Sequence, residues 1–143
     1  MNQLEREHWW FTARRQILDR LLCYADLPVG ALILEAGSGT GGNLAMLQRY
    51  GKVHAMELDE SARELARSKN LDVLIEPGRL PGEIPYGDQL FDAIVMFDVL
   101  EHIDEDQATL EAIMARLKPG GRLVLTVPAF SSLWSNHDVI HDL

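Results

Sequence analysis

The chain has 143 residues, room for one domain with a real core but not for two. Apolar residues make up 47% and charged residues 24%, an ordinary globular balance, and the net charge is −9. That average field repels nucleic-acid phosphates and anionic membrane surfaces, and no basic cluster exceeds the pair Arg14–Arg15, so neither nucleic acid nor membrane is an expected partner.

The N-terminal "MNQLEREHWWF" is charged and has no apolar leader core, and no run is long enough to span a bilayer. A single cysteine, Cys23 in "LLCYA", rules out an internal disulfide and has no partners for a zinc site. It reads as a small buried hydrophobe, and the chain as a soluble protein of a reducing, cytoplasmic compartment. "FTARRQILDRLLCYA" predicts a helix over residues 11–25 with Phe11, Leu18, Leu21, Leu22 and Ala25 largely on one side.

Apolar runs of strand length follow at residues 31–36, 53–58, 71–76, 91–97 and 122–127. Most are continuous rather than alternating, as expected of strands covered on both faces. Between them, Asp59 predicts the start of a helix through "ESARELARSK", with Ala62, Leu65 and Ala66 inward. "DEDQATLEAIMARLK" predicts another, with Asp104 as N-cap, Leu110, Ile113, Met114 and Leu117 on one face, and a stop at "KPGG". The alternation implies an α/β fold with a Rossmann-like open parallel sheet. Only the link "PGRLPGEIPYGDQL", with three prolines and three glycines, shows no helical period, and a loop of that length is usually functional.

The first strand runs into "LEAGSGTGGNL" (residues 34–44), which holds four glycines. Gly37, Gly39 and Gly41 let backbone turn tightly and approach a ligand, while Thr40 and Asn43 can bond the free N–H groups of a following helix. "GSGTGG" also satisfies the dinucleotide pattern G-x-G-x-x-G, and a purely structural turn is a further reading. Glu57, at the end of the second strand, can accept both hydroxyls of an adenosine ribose. Glu35, two residues before Gly37, would repel a pyrophosphate and favour a cationic ligand, or else holds the turn through backbone N–H groups.

These segments together resemble the class I S-adenosylmethionine-dependent methyltransferases. "LEAGSGTGGNL" looks like their first motif, "MELDESA" their second-strand acidic motif, "FDAIVMFDVLEHIDED" their fourth-strand motif and "LKPGGRLVLTVP" their fifth. Order and spacing fit the small-molecule branch labelled methyltransferase type 11, which includes relatives of quinone-biosynthesis enzymes. The resemblance implies S-adenosylmethionine as cofactor, S-adenosylhomocysteine as product and a small-molecule methyl acceptor. It implies that Glu35, Gly37, Ser38, Gly39, Thr40, Gly41, Asn43 and Phe97 surround the cofactor, and that Glu57 holds the ribose. Leu58 would lie against the adenine, and Arg79 and Leu80 would fall at the adenine edge, where the family usually has an acidic side chain.

The implied strand order is 3-2-1-4-5, with residues 1–29 a helical cover, 30–128 the Rossmann-like core and 129–143 a solvated tail. The family's usual sixth and seventh strands are missing, so the chain reads as C-terminally truncated. The fifth strand would then be an open edge, which a homo-oligomer could cover. His102 is the candidate general base; it serves equally as a structural cap, and Asp98 and Glu101 as loop charges. Trp9, Trp10 and Phe11 read as a lid or as helix anchors, and Arg14 or Arg15 as partners for the cofactor's carboxylate or as surface charges. His137, Asp138, His141 and Asp142 read as solvated rather than as a metal site. Two other functions stay open: a catalytically inactive cofactor-binding or interaction module, and an NAD-binding oxidoreductase.

Overall fold

The computed structural model describes residues 3–97, 105–128 and 136–142, with side chains at all of these except 10, 11, 127, 128 and 136–142. The elements in order are α1 (Gln3–Tyr24), β1 (Ala31–Ala36), α2 (Leu44–Leu47), β2 (Gly51–Met56), α3 (Glu60–Arg67), β3 (Leu74–Glu76), β4 (Phe91–Phe97), α4 (Asp106–Met114), β5 (Leu117–Pro128) and β6 (Asn136–Asp142). One sheet holds all strands in the order β3-β2-β1-β4-β5-β6. The first five are parallel, as expected of continuous apolar runs.

Neighbouring residues on each strand feed opposite faces. Ile33, Val53, Ala55, Ala93, Val95 and Val124 pack on one side with Leu18 and Leu22 of α1, Leu44 and Leu47 of α2, and Ala66 of α3. Leu34, Met56, Ile94, Met96, Leu123 and Leu125 pack on the other with Ile113 of α4. Leu80, Ile84 and Tyr86 of the proline-rich link join this second cluster, so the loop roofs a face that a crossover helix would otherwise cover. It is fastened by the Tyr86 hydroxyl, which donates to Ala55 O (2.6 Å) and Leu74 O (3.0 Å). The Arg116 guanidinium donates to the carbonyls of Gln89 (2.9 Å) and Pro85 (3.0 Å).

Several expectations need correction. Residues 129–143 are not all a solvated tail: β6 pairs antiparallel with β5 from Pro128↔Asn136 to Arg122↔Asp142. The edge expected to stand open is therefore paired from within the chain, because an unpaired row of backbone N–H and C=O groups is costly beside so apolar a strand. Cys23 is exposed, since α1 buries Leu18 and Leu22 and the residue after Leu22 turns about 100° from that face. Leu65 is likewise exposed; the i, i+4 pair Ala62 and Ala66 makes the contact of α3 with the sheet. Helix α4 stops at Met114 and does not reach "KPGG", for Leu117 already pairs with Phe91 and the glycines form an irregularity within β5. Asp104 lies outside the described residues. Helix α1 begins eight residues earlier than expected, its first turns exposed. Among the described residues no helix is long and apolar enough to cross a membrane.

Candidate functional site

The sheet order reverses between β1 and β4, and ligands in open α/β sheets bind beyond the carboxyl ends of the strands at that point. A cavity of about 450 Å³ lies there, lined by His8, Arg14 and Arg15 of α1, by Glu35, Gly37, Ser38, Thr40, Gly42 and Asn43 at the end of β1, and by Phe97 at the end of β4.

The glycine turn is built by three positive-φ residues, Gly37 (φ 84°), Gly39 (58°) and Gly41 (87°), a conformation that costs any other L-residue about 1–2 kcal/mol. Four of its backbone donors are already engaged. The N–H groups of Gly37 and Ser38 both donate to Met56 O (2.9 and 3.0 Å), that of Gly41 to Ser38 O (3.0 Å), and that of Gly39 to Glu57 Oε1 (2.8 Å). Helix α2 behind the turn has only four residues and so brings little macrodipole. Those four amides are closed to a pyrophosphate and so short a helix offers it little dipole, which weighs against the dinucleotide reading. The expected capping is corrected too: Asn43 makes no side-chain cap, and its Nδ2 donates to Glu35 Oε2 (3.4 Å).

Two buried polar atoms in the cavity wall lack partners, Glu35 Oε1 and Ser38 Oγ. Glu35 is 1% exposed. Burial pushes its carboxyl up to about 8, against the Asn43 hydrogen bond and with the help of the Glu57 charge. A buried acceptor left unsatisfied costs about 1–3 kcal/mol, a cost a cationic or N–H donor entering the cavity removes. Sulfonium and ammonium groups have that chemistry, and the site fits a phosphate-free cationic adenosine derivative.

Glu57 stands between the glycine turn and α3: besides Gly39 N, its Oε2 accepts from Asp59 N (2.9 Å). Each oxygen keeps a second lone pair for a hydroxyl donor. Leu58 is 57% exposed beside it. Arg79 is exposed and bridged to Glu83, and Leu80 is half-buried against the second core cluster; neither lines the cavity. Gly39, Gly41, Glu57 and Leu58 also lie off its lining, with Gly39 tied to it through Glu57. Trp9 is 62% exposed and does not line the cavity. Asp98, Glu101 and His102 lie outside the described residues. Among the described residues no group of His, Cys, Asp and Glu is placed to hold a metal. His8 was not singled out by sequence; its only signal is that it stands seven residues, two helical turns, before Arg15.

An open α/β domain with a glycine turn, two carboxylates and a crevice at the strand-order switch belongs to the adenosyl-ligand class of Rossmann-like folds. A family model described as a methyltransferase domain matches residues 7–141, and the chain belongs to that family. It is similar to a probable S-adenosylmethionine-dependent methyltransferase of Mycolicibacterium smegmatis, 29% identical over 126 residues that make up 87% of this chain and 48% of that protein. It is similar also to probable tRNA methyltransferase 9B of Bos taurus, 37% identical over 103 residues, 68% of this chain and 21% of that protein. The chain thus spans about half the first relative and a fifth of the second. Among solved structures it resembles S-adenosylmethionine-bound CalS10, an amino pentose methyltransferase from Micromonospora echinaspora. Their TM-score is 0.73 at 25% identity, over 91% of this chain and 58% of that one.

Proposed function

We propose that this chain binds S-adenosylmethionine across the carboxyl ends of β1 and β4 and, in the whole protein, transfers its methyl group to a small-molecule acceptor. The observation that carries the reading is the buried Glu35 carboxyl, which lines the cavity with one oxygen unpartnered, beside Ser38, whose buried hydroxyl also lacks a partner. Glu35 would face the ligand's positive charges and Ser38 would hydrogen-bond its amino-acid end. Gly37, Gly39, Thr40, Gly41 and Asn43 would shape the wall beside them. The free lone pairs of Glu57 would accept the ribose hydroxyls, and Leu58 would cover the adenine. Arg79 and Leu80 would mark the adenine edge. Phe97 would close the wall on the β4 side.

When bound, the cofactor supplies an electrophilic methyl on a sulfonium with a good, neutral leaving group. The protein's part is therefore to align reactants and exclude water. A base is needed only where the acceptor must lose a proton, and His102, five residues beyond Phe97, is the candidate. Relatives are named for tRNA, demethylmenaquinone and glycine methylation, so the family leaves the acceptor open. A small acceptor rather than RNA is supported by the net charge of −9 and the lack of any basic run beyond Arg14–Arg15. The single exposed cysteine accords with a reducing compartment such as the cytoplasm.

Thermal unfolding with S-adenosylhomocysteine and with NAD tests the cofactor assignment. At 100 times its Kd the former should stabilise the fold by about 2.7 kcal/mol. Stabilisation by NAD alone would overturn it.

A further inference from the structure

Resting on that cofactor assignment, we propose that Arg63 of α3 is a positioning residue for the adenosine end of the cofactor. Its guanidinium clamps the backbone of Glu57 and Leu58, so that the ribose-binding carboxylate is set before the ligand arrives. Arg63 Nη1 donates to Glu57 O (2.9 Å) and to Leu58 O (2.8 Å), reaching back six and five residues along the chain. These are the residues assigned above to the ribose and the adenine. They lie in the connection between β2, which ends at Met56, and α3, which begins at Glu60. Tying two successive carbonyls of such a connection removes conformations that the chain would otherwise sample.

The clamp has a firm base. Asp59 caps α3 by accepting from Ala62 N (2.9 Å), and Arg63 N donates to Asp59 O (3.0 Å). The Glu57 side chain is held separately, its carboxylate accepting from Gly39 N (2.8 Å) and Asp59 N (2.9 Å). Arg63 thus fixes the main chain of Glu57, while the glycine turn and Asp59 fix its carboxylate. Arg63 Nε is buried without a partner. A buried donor left unpaired is unfavourable, so it is the two charge-assisted carbonyl bonds that decide where the guanidinium sits. They lie in a part-exposed turn, where water can replace the arginine and little folding energy is at stake. What its removal takes away is order, which the ligand must then restore at the expense of affinity. Arg67, one turn further along α3, offers the comparison. Its Nη2 donates to Ile75 O (2.6 Å), a carbonyl of β3 outside the proposed site.

The test is calorimetric titration of the 143-residue chain with S-adenosylhomocysteine and with 5′-methylthioadenosine, which has the adenosine but no amino-acid end. Arg63→Met should weaken both ligands by the same factor, about five- to tenfold. Arg67→Met, which removes a bond of the same kind, should leave both affinities within about twofold of the parent. In a Glu57→Gln background, Arg63→Met should add little further loss, because the clamp acts through that residue. Arg63→Lys, one atom shorter but still a charged donor, should recover part of the affinity. If circular dichroism shows that Arg63→Met does not fold, Arg63→Lys carries the test with a loss of about twofold or more. If S-adenosylhomocysteine does not bind the parent, the cofactor assignment has failed and this proposal with it. If it binds, four results each overturn the positioning role: parental affinity in the folded Arg63 variant, a loss confined to S-adenosylhomocysteine, an equal loss in Arg67→Met, or losses at Glu57 and Arg63 that simply add.

Discussion

At the scale of the residue, Glu35 connects sequence to ligand chemistry most directly. A carboxyl that titrates near 4.5 in an unfolded chain and is pushed up to about 8 in the folded one makes the native state the stronger proton binder between those values. Stability must therefore fall as pH rises through that window, by up to about 1.4 kcal/mol per pH unit. Glu35→Gln keeps the shape without the charge. Urea unfolding from pH 5 to 8.5 should show a downward slope in the parent that the variant lacks. S-adenosylhomocysteine, whose ammonium group favours the carboxylate, should bind the parent more tightly as pH rises towards 8 and the variant almost independently of pH. An equal slope in both proteins would remove Glu35 from the site. The acidic position was legible in sequence because it breaks an apolar strand just ahead of the glycines. What sequence could not give was the accounting of donors: that Gly37, Ser38, Gly39 and Gly41 have their N–H groups taken depends on where Met56 and Glu57 end β2. His8 was invisible for a different reason, since a charged, aromatic helix start looks the same whether it faces solvent or a cavity.

At the scale of the element, the glycine turn separates backbone freedom from packing. Gly39 and Gly41 share positive φ, but an added Cβ at Gly39 would meet nothing within 4 Å. At Gly41 it would stand 3.0 Å from both Ala66 Cβ and Leu44 Cδ1. Gly39→Ala should therefore cost about 1–2 kcal/mol from conformation alone. Gly41→Ala should cost more, because α2 and α3 must also part. Gly42→Ala, with no positive φ and open space around it, should be nearly neutral and serves as the control. Equal losses at 39 and 41 by denaturant unfolding would show that the close approach of α3 does not matter. Strands β1 and β4 were readable to the residue, because each is a closed apolar run bounded by polar or glycine positions. Helix α2 was not: four residues carry no period to detect, and it persists on the burial of Leu44 and Leu47. The proline-rich link was rightly seen as aperiodic. Its function as a roof rests on Tyr86 reaching carbonyls of β2 and β3, contacts distant in sequence that no local pattern announces.

At the scale of the whole molecule, the site depends on a sheet whose far side is closed by β6. Strand β5 carries Leu123, Val124 and Leu125 into both cores, so its backbone is held in the apolar interior on one flank by β4. Without β6 the other flank would present seven residues of unpaired ladder, from Arg122 to Pro128, next to that apolar strand. A chain shortened to residue 128 should therefore associate through this edge, or lose several degrees of thermal midpoint, while the full chain stays monomeric at the same concentration. Light scattering coupled to size exclusion reads the first outcome and a thermal scan the second. The sequence pattern "NHDVIHD" hides this strand because its two apolar residues, Val139 and Ile140, are adjacent between polar runs and show no alternation. The cavity lies at the ends of β1 and β4, two strands and one strand inward from β5. Association through the edge should then leave S-adenosylhomocysteine affinity intact unless β4 itself shifts. If the shortened chain stays monomeric with an unchanged midpoint, β6 contributes no cover and the stability of β5 resides wholly in its pairing with β4 and in the two cores.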